Sequence, residues 1–153
     1  MQKQHILDGI RVLDFSQHVA GPSASRMMAE MGAEIIKLEL APFGEQIRAI
    51  ARLGLSWEKV QQLNPECIMC SVSTFGQTGP LATLPGYDFI GQAYAGITGM
   101  IGDEENGPYI PLAALGDTMT GAHALAAING ALYHRATGGT GQFLDISLLD
   151  CYF

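Results

Sequence analysis

The sequence is poor in several things at once. Only 15% of its 153 residues are charged, and eight Lys and Arg stand scattered against fifteen Asp and Glu, for a formal net charge of -7. A basic stripe that could follow a phosphate backbone is excluded, so no nucleic-acid partner is expected. Three cysteines, Cys67, Cys70 and Cys151, cannot all pair. Without any sign of secretion they read as reduced thiols, which excludes a disulfide scaffold. The amino-terminal MQKQHILDGIRVLDF lacks the apolar stretch and small-residue cleavage site of a signal peptide, and no long apolar run occurs anywhere. A cytoplasmic protein with no membrane partner is expected. The CIMC spacing at 67–70 has the look of half a redox or zinc motif, but a second pair is missing. The surrounding ECIMCSVS reads as a strand, where positions i and i+3 face opposite ways, so these are taken as buried strand cysteines and no metal is expected.

What is present is apolar and small: 48% hydrophobic residues, 19 glycines and a mean hydropathy of +0.18. That is the composition of one globular domain able to bury a core. IRVLDF, residues 10–15, reads as a strand, GPSAS as a turn, SRMMAEM as a helix closed by Gly32, and EIIKLEL as a second strand. The order is that of a βαβ unit and predicts a parallel sheet. The turn after the first strand has one glycine where a dinucleotide fingerprint needs three, so NAD or FAD is not expected.

SWEKVQQLNP reads as a short amphipathic helix with Ser56 as N-cap and Asn64-Pro65 as its stop. The strand CIMCSVS then feeds FGQTGPLATLPGYD, a glycine-rich loop. Loops at the carboxyl ends of strands in α/β sheets commonly meet ligands, and this loop is the first site candidate. Residues 88–99, DFIGQAYAGITG, read as a closely packing helix, Asp117 to Arg135 as a long one, and GQFLDISLLD as a further strand. The acidic GDEENGP reads as a solvated loop.

Asp117 lies in LAALGDTMTGAHALAA, a lone carboxylate among small residues at the start of that long helix. One reading makes it the N-cap, accepting a bond from an exposed backbone N–H. The other uses the same place: a helix N-terminus keeps the carboxylate ionised and able to attack an activated acyl group. Sequence physics leaves both open. His123, six residues on, is out of phase with Asp117 on a helix and should not meet it. His18 precedes the Ala-Gly-Pro segment and could reach a site above the sheet. A G-x-S-x-G nucleophile elbow does not occur.

Taken in order, GIRVLDF, AGPSASRMMAEMGAEIIKLE, RLGLSWEKVQQLNP, SVSTFGQTGP with PGYDFIGQAYAGITG, ALGDTMTGAHALAAINGAL and TGGTGQFLDISLLD resemble the family III CoA-transferases. This is the CaiB/BaiF superfamily, which includes formyl-CoA transferases and α-methylacyl-CoA racemases. The resemblance implies an α/β fold, a Rossmann-like parallel sheet with flanking helices. It also implies a CoA-transferase moving CoA from an acyl-CoA thioester to a carboxylic acid, with CoA as substrate and no tightly bound cofactor. The family's catalytic carboxylate falls on Asp117. It would attack the thioester to give a mixed anhydride, and the returning thiolate would leave an aspartyl-CoA thioester for the acceptor acid.

The family's racemases carry His where this chain has Tyr87. A phenol titrates near pH ~10 and is a poor base at neutral pH, so the resemblance favours transferase over racemase and makes Tyr87 a contact for CoA or the acyl oxygen. Arg52 matches a family arginine near bound CoA, with Arg48 beside the same place, and a guanidinium suits CoA's phosphates. The formyl-CoA transferases' acyl-contacting Gln falls on Val19, with Gln17 and His18 as its neighbours, which puts a formyl or oxalyl substrate in doubt. Between QIRAI and ARLGL the family has several dozen further residues where Ile50 here meets Ala51, and family members continue into a second domain through which they interlock as homodimers. Residues 1–153 are thus expected to form an N-terminal piece of the family's domain, shortened at 50/51. A CoA-binding fragment without catalysis stands as a further alternative.

Overall fold

The computed structural model describes residues 5–38, 54–110 and 114–153. Strand β1 (Arg11–Asp14) leads to helix α1 (Ala20–Glu30) and back to strand β2 (Glu34–Lys37), which pairs with β1 in parallel, Val12 opposite Ile35 and Leu13 opposite Ile36. The GPSAS segment is not a turn before the helix but its first turn. Pro22 is tolerated there because the first N–H groups of a helix have no intrahelical partner to lose. The helix ends on Gly32 at φ +100°, with Gly32 N–H bonded to the Ala29 carbonyl and Ala33 N–H to that of Met28. That paired closure needs a left-handed residue, and glycine takes it without strain.

Helix α2 (Trp57–Leu63) starts as expected, Ser56 Oγ accepting from Lys59 N–H at 3.4 Å. Strand β3 (Met69–Ser73) pairs in parallel with the later β6 (Phe143–Ser147). Parallel pairing is present as predicted, but among the described residues it is divided between two two-stranded sheets, β1-β2 and β3-β6. Cys67 precedes β3, and Cys67 and Cys70 are half-buried rather than buried.

The segment 88–99 is two helices, α3 (Asp88–Tyr94) and α4 (Ile97–Met100). Gly96, at φ +80°, breaks the run between them, and no side chain there opposes the break. GDEENGP closes an exposed hairpin of two-residue strands, β4 (Gly102–Asp103) and β5 (Gly107–Pro108). Asp103 accepts the Glu105 and Asn106 N–H groups in its turn.

Helix α5 (Leu115–Ala136), about 33 Å long at 1.5 Å per residue, packs on α1 and on the β3-β6 sheet. Its Leu125, Ile128 and Leu132, on one face, meet a core of Leu7, Met28 and Ala33 with Val12 and Ile35 from the sheet. Met28 is 2% exposed, and burying such a side chain stabilises by about 1.5–3 kcal/mol. Nearer its start, Gly121 lies so close to α1 that an added Cβ would stand 2.9 Å from the Ala20 carbonyl and 2.8 Å from Ser23 Cβ. Gly121 against Ala20, and Leu125 to Leu132 in the cluster of Met28, set the two helices parallel with their N-termini at one end. The carboxyl end of β1 runs into that same end.

Candidate active site

The loop between β1 and α1 is fixed from below by Asp14, which is 7% exposed. Its carboxylate accepts from Ser16 N–H at 2.7 Å, Ser16 Oγ at 2.5 Å, Ser25 Oγ at 2.7 Å and Lys37 Nζ at 3.2 Å. Lys37 also donates to the Ser16 carbonyl. Burial is the largest single influence on Asp14 and opposes its charge. The donors from Ser16, Ser25 and Lys37 together outweigh burial and hold its pKa below the usual carboxylate value. The loop so anchored delivers His18 in the left-handed region, φ 61°, a conformation that few non-glycine residues adopt. Val19 follows as N-cap of α1, 39% exposed, its carbonyl accepting Ser23 N–H and Oγ. Gln17 lies half-buried beside them.

The PGYD turn comes to this loop from the far side. Gly86 passes so near Thr74 that a Cβ would stand 2.6 Å from Thr74 Cγ2, which ties the turn to the end of β3. Tyr87 is the N-cap residue of α3 and 45% exposed. The His18 ring meets the Tyr87 ring edge-on, centroids 5.6 Å apart, and Tyr87 stacks with Phe89 at 6.0 Å.

Asp117 stands in the first turn of α5 but is not its N-cap. Ala114 holds that position, with no side-chain cap, and the helix begins two residues before Asp117. The capping reading therefore fails, because the helix extends further toward the N-terminus than the polar residue suggested. Asp117 is half-buried, and its pKa is raised: burial contributes most, the negative charge of Asp88 adds to it, and His18 pulls the other way. The structure thus brings His18, Tyr87 and Asp117 into one place. His123 turns away, its Nδ1 2.8 Å from the Met119 carbonyl. Arg48 and Arg52, and the junction at 50/51, lie outside the described residues.

Sequence reasoning missed Asp88, Gln92 and Tyr152. Tyr152, in a closing 3-10 turn (Asp150–Tyr152), donates to Asp88 Oδ1 at 2.5 Å, and Gln92 Nε2 donates to Asp88 Oδ2 at 2.8 Å. Gly116 leaves room for this group, since a Cβ there would collide with Tyr152 Oη and Asp88 Oδ1. Burial, then the bond to Asp88 and its charge, raise the Tyr152 pKa, so the phenol stays a donor. The Asp88/Gln92 spacing of four at a helix start was the available signal.

The thiols offer no competing nucleophile. Burial, helped by Asp145, pushes Cys70 up to about 11, and burial raises Cys67 and Cys151 as well. Among the described residues no three His, Cys, Asp or Glu side chains gather as metal ligands, and no helix is long and apolar enough to cross a membrane.

Comparison with known proteins bears on the same residues. The sequence model of CoA-transferase family III matches residues 7–51 and 44–153. A succinate–glutarate CoA-transferase of Agrobacterium fabrum is 30% identical over 204 residues, taking in 94% of this chain and 51% of that protein. A formyl-CoA:oxalate CoA-transferase of Streptomyces coelicolor is 29% identical over 196 residues, with 93% and 47% covered. Among solved structures, a CAIB/BAIF family protein from Brucella suis superposes with a TM-score of 0.86 at 26% identity, covering 97% of this chain and 55% of that one. A Mycobacterium tuberculosis protein, Rv3272, gives 0.88 at 28% identity, with the same coverages. The chain spans about half the length of the curated relatives it matches. The matched stretch in the Agrobacterium protein, 204 residues against 153 here, holds at least 51 positions that this chain lacks internally. With the family model matched over nearly its whole length, the chain belongs to CoA-transferase family III.

Proposed function

We propose that this chain carries the nucleophile of an acyl-CoA:carboxylate CoA-transferase, with Asp117 attacking the thioester. One observation carries the reading: Asp117 is a half-buried carboxylate in the first turn of α5, at a position left without a capping duty. Such a group is more basic than a solvated carboxylate, which suits it to acyl attack. In the first step a carboxylate oxygen of Asp117 bonds to the acyl carbon as the C–S bond breaks and CoA leaves as thiolate. The thiolate then bonds to Asp117 Cγ, the anhydride C–O bond breaks, and the donor acid departs as a carboxylate. The acceptor acid reverses the two steps.

His18 and Tyr87 flank the acyl carbon in this reading, and Val19 and Gln17 form the rim beside them. Arg52, with Arg48, holds the CoA phosphates. Acyl-CoA and a small carboxylic acid are the partners, the location is cytoplasmic, and the intact protein is a homodimer. The two family-model matches meet at residues 44–51, which supports placing the missing internal segment near 50/51 in a single N-terminal domain piece of residues 1–153.

The test is CoA transfer from a panel of short acyl-CoAs to an isotope-labelled carboxylate. Wild type is expected to form labelled thioester, and Asp117→Asn to lose the activity by about 10³-fold or more. Exchange of the α-proton with solvent in the absence of acceptor would instead support the racemase reading, which Tyr87 disfavours.

A further inference from the structure

Asp88 has no place in the reaction as written, yet the fold commits three residues to it. Both its oxygens accept hydrogen bonds, from Tyr152 and Gln92, and Gln92 is 1% exposed. Two donors aimed at the two oxygens favour the ionised carboxyl over the neutral one and hold it in one orientation. It lies directly against Gly116, the residue before Asp117, where even a methyl group would not fit. Asp88 and Asp117 are therefore like charges held close in a partly desolvated place.

Among the described residues, the charged and titratable groups around them are few. His18, on the loop before α1, opposes Asp88 in its effect on Asp117. Tyr152 stays protonated as a donor. In the closing turn, Asp150 adds to burial in raising the Cys151 thiol, and the Thr120 hydroxyl donates to the Gly116 carbonyl at 2.6 Å. Asp145 of β6 faces the Gly76–Gln77 loop, accepting Gln77 N–H at 2.7 Å, and acts on Cys70 of β3. On α1, Arg26 and Glu30 pair with each other at the exposed surface, and on α5 His123 is bonded within its own helix.

Resting on the reading of Asp117 as nucleophile, we propose that Asp88 is a positioning residue: its fixed negative charge favours the covalent state, in which Asp117 is neutral. The balance of the step gives the reason. Asp117 carboxylate plus acyl-CoA becomes aspartyl-CoA thioester plus a free carboxylate, so one negative charge leaves Asp117 with the departing acid. The repulsion between Asp88 and Asp117 exists before the step and is gone after it. Removing the Asp88 charge leaves the starting carboxylate more comfortable and the adduct less favoured.

The experiment uses the full chain and two variants, Asp88→Asn and Tyr152→Phe, each first checked by thermal unfolding. Carbon-13 NMR of aspartate carboxyl groups, with Asp117 assigned by its absence in Asp117→Asn, gives the titration of Asp117 without any substrate. The expected result is a titration midpoint that falls in Asp88→Asn and does not fall in Tyr152→Phe, where the charge remains. Alongside, the equilibrium fraction of Asp117 carrying CoA falls several-fold in Asp88→Asn. An unchanged midpoint in Asp88→Asn, or an equal fall in both variants, overturns the proposal, the latter because it marks a packing effect. If wild type forms no adduct while the midpoints move as stated, the nucleophile reading fails and the charge coupling stands.

Discussion

Asp14 and Asp117 are carboxylates held in opposite electrostatic states, and each state has a measurable sign. Asp14 is surrounded by donors, and its folded pKa lies below the ordinary value. Its contribution to stability is present above the ordinary carboxylate range and is lost as pH falls through the lowered folded value. Asp14→Asn is expected to lower stability at neutral pH by about 1.5–3 kcal/mol, the range for charged hydrogen bonds, with the difference from wild type shrinking in acid urea titrations. Asp117 has the reverse sign. Ionised in the folded chain it is destabilising, an effect absent below the ordinary carboxylate value and growing as pH rises through the raised folded one. Asp117→Asn is therefore expected to unfold at equal or higher denaturant than wild type at pH 7 while losing transfer. Lower stability in that variant would place Asp117 among the structural groups.

At the scale of elements, the contact of α1 with α5 fixes the common end of the two helices, and it depends on Gly121. Gly121→Ala gains about 1 kcal/mol in helix propensity but pushes a methyl into the Ala20 carbonyl, a backbone atom that cannot rotate away. A net loss of about 1–2 kcal/mol is expected by urea unfolding. Gly130 lies on the same helix, exposed, with nothing within 4 Å of an added Cβ, and Gly130→Ala is expected to stabilise by about 0.5–1 kcal/mol. Equal effects at the two positions would contradict the packing described.

Most elements were legible because their signals are local. Ser56 and Asn64 bracket α2, Gly32 closes α1, and alternating or continuous apolar runs gave β1, β2, β3 and β6. The failures have physical causes. Proline at position 22 looks like a breaker and is harmless in a first turn. Gly96 interrupts a helix whose composition continues unbroken. The polar residue at 117 suggested a cap because propensity marks the helix start only to within a turn. The candidate site was half legible: the sequence singles out Asp117, His18 and Tyr87, which the fold brings together, while Tyr152 lies 64 positions from Asp88 and only tertiary packing joins them.

At the scale of the whole molecule, the chain holds the end of the fold where strand and helix termini converge, and matches about half the length of its relatives. If this portion binds CoA, saturation at a hundred times Kd should raise stability by about 2.7 kcal/mol, read as a thermal shift. Arg52→Ala should remove most of that shift while leaving the unliganded unfolding temperature in place. The central claim is the covalent chemistry of Asp117, and the most direct measurement is peptide mass spectrometry after brief exposure to acyl-CoA without acceptor. The account predicts a CoA-bearing or hydroxylamine-trapped mass on the peptide containing Asp117, absent in Asp117→Asn. CoA binding with that peptide unmodified across the acyl-CoA panel would contradict it.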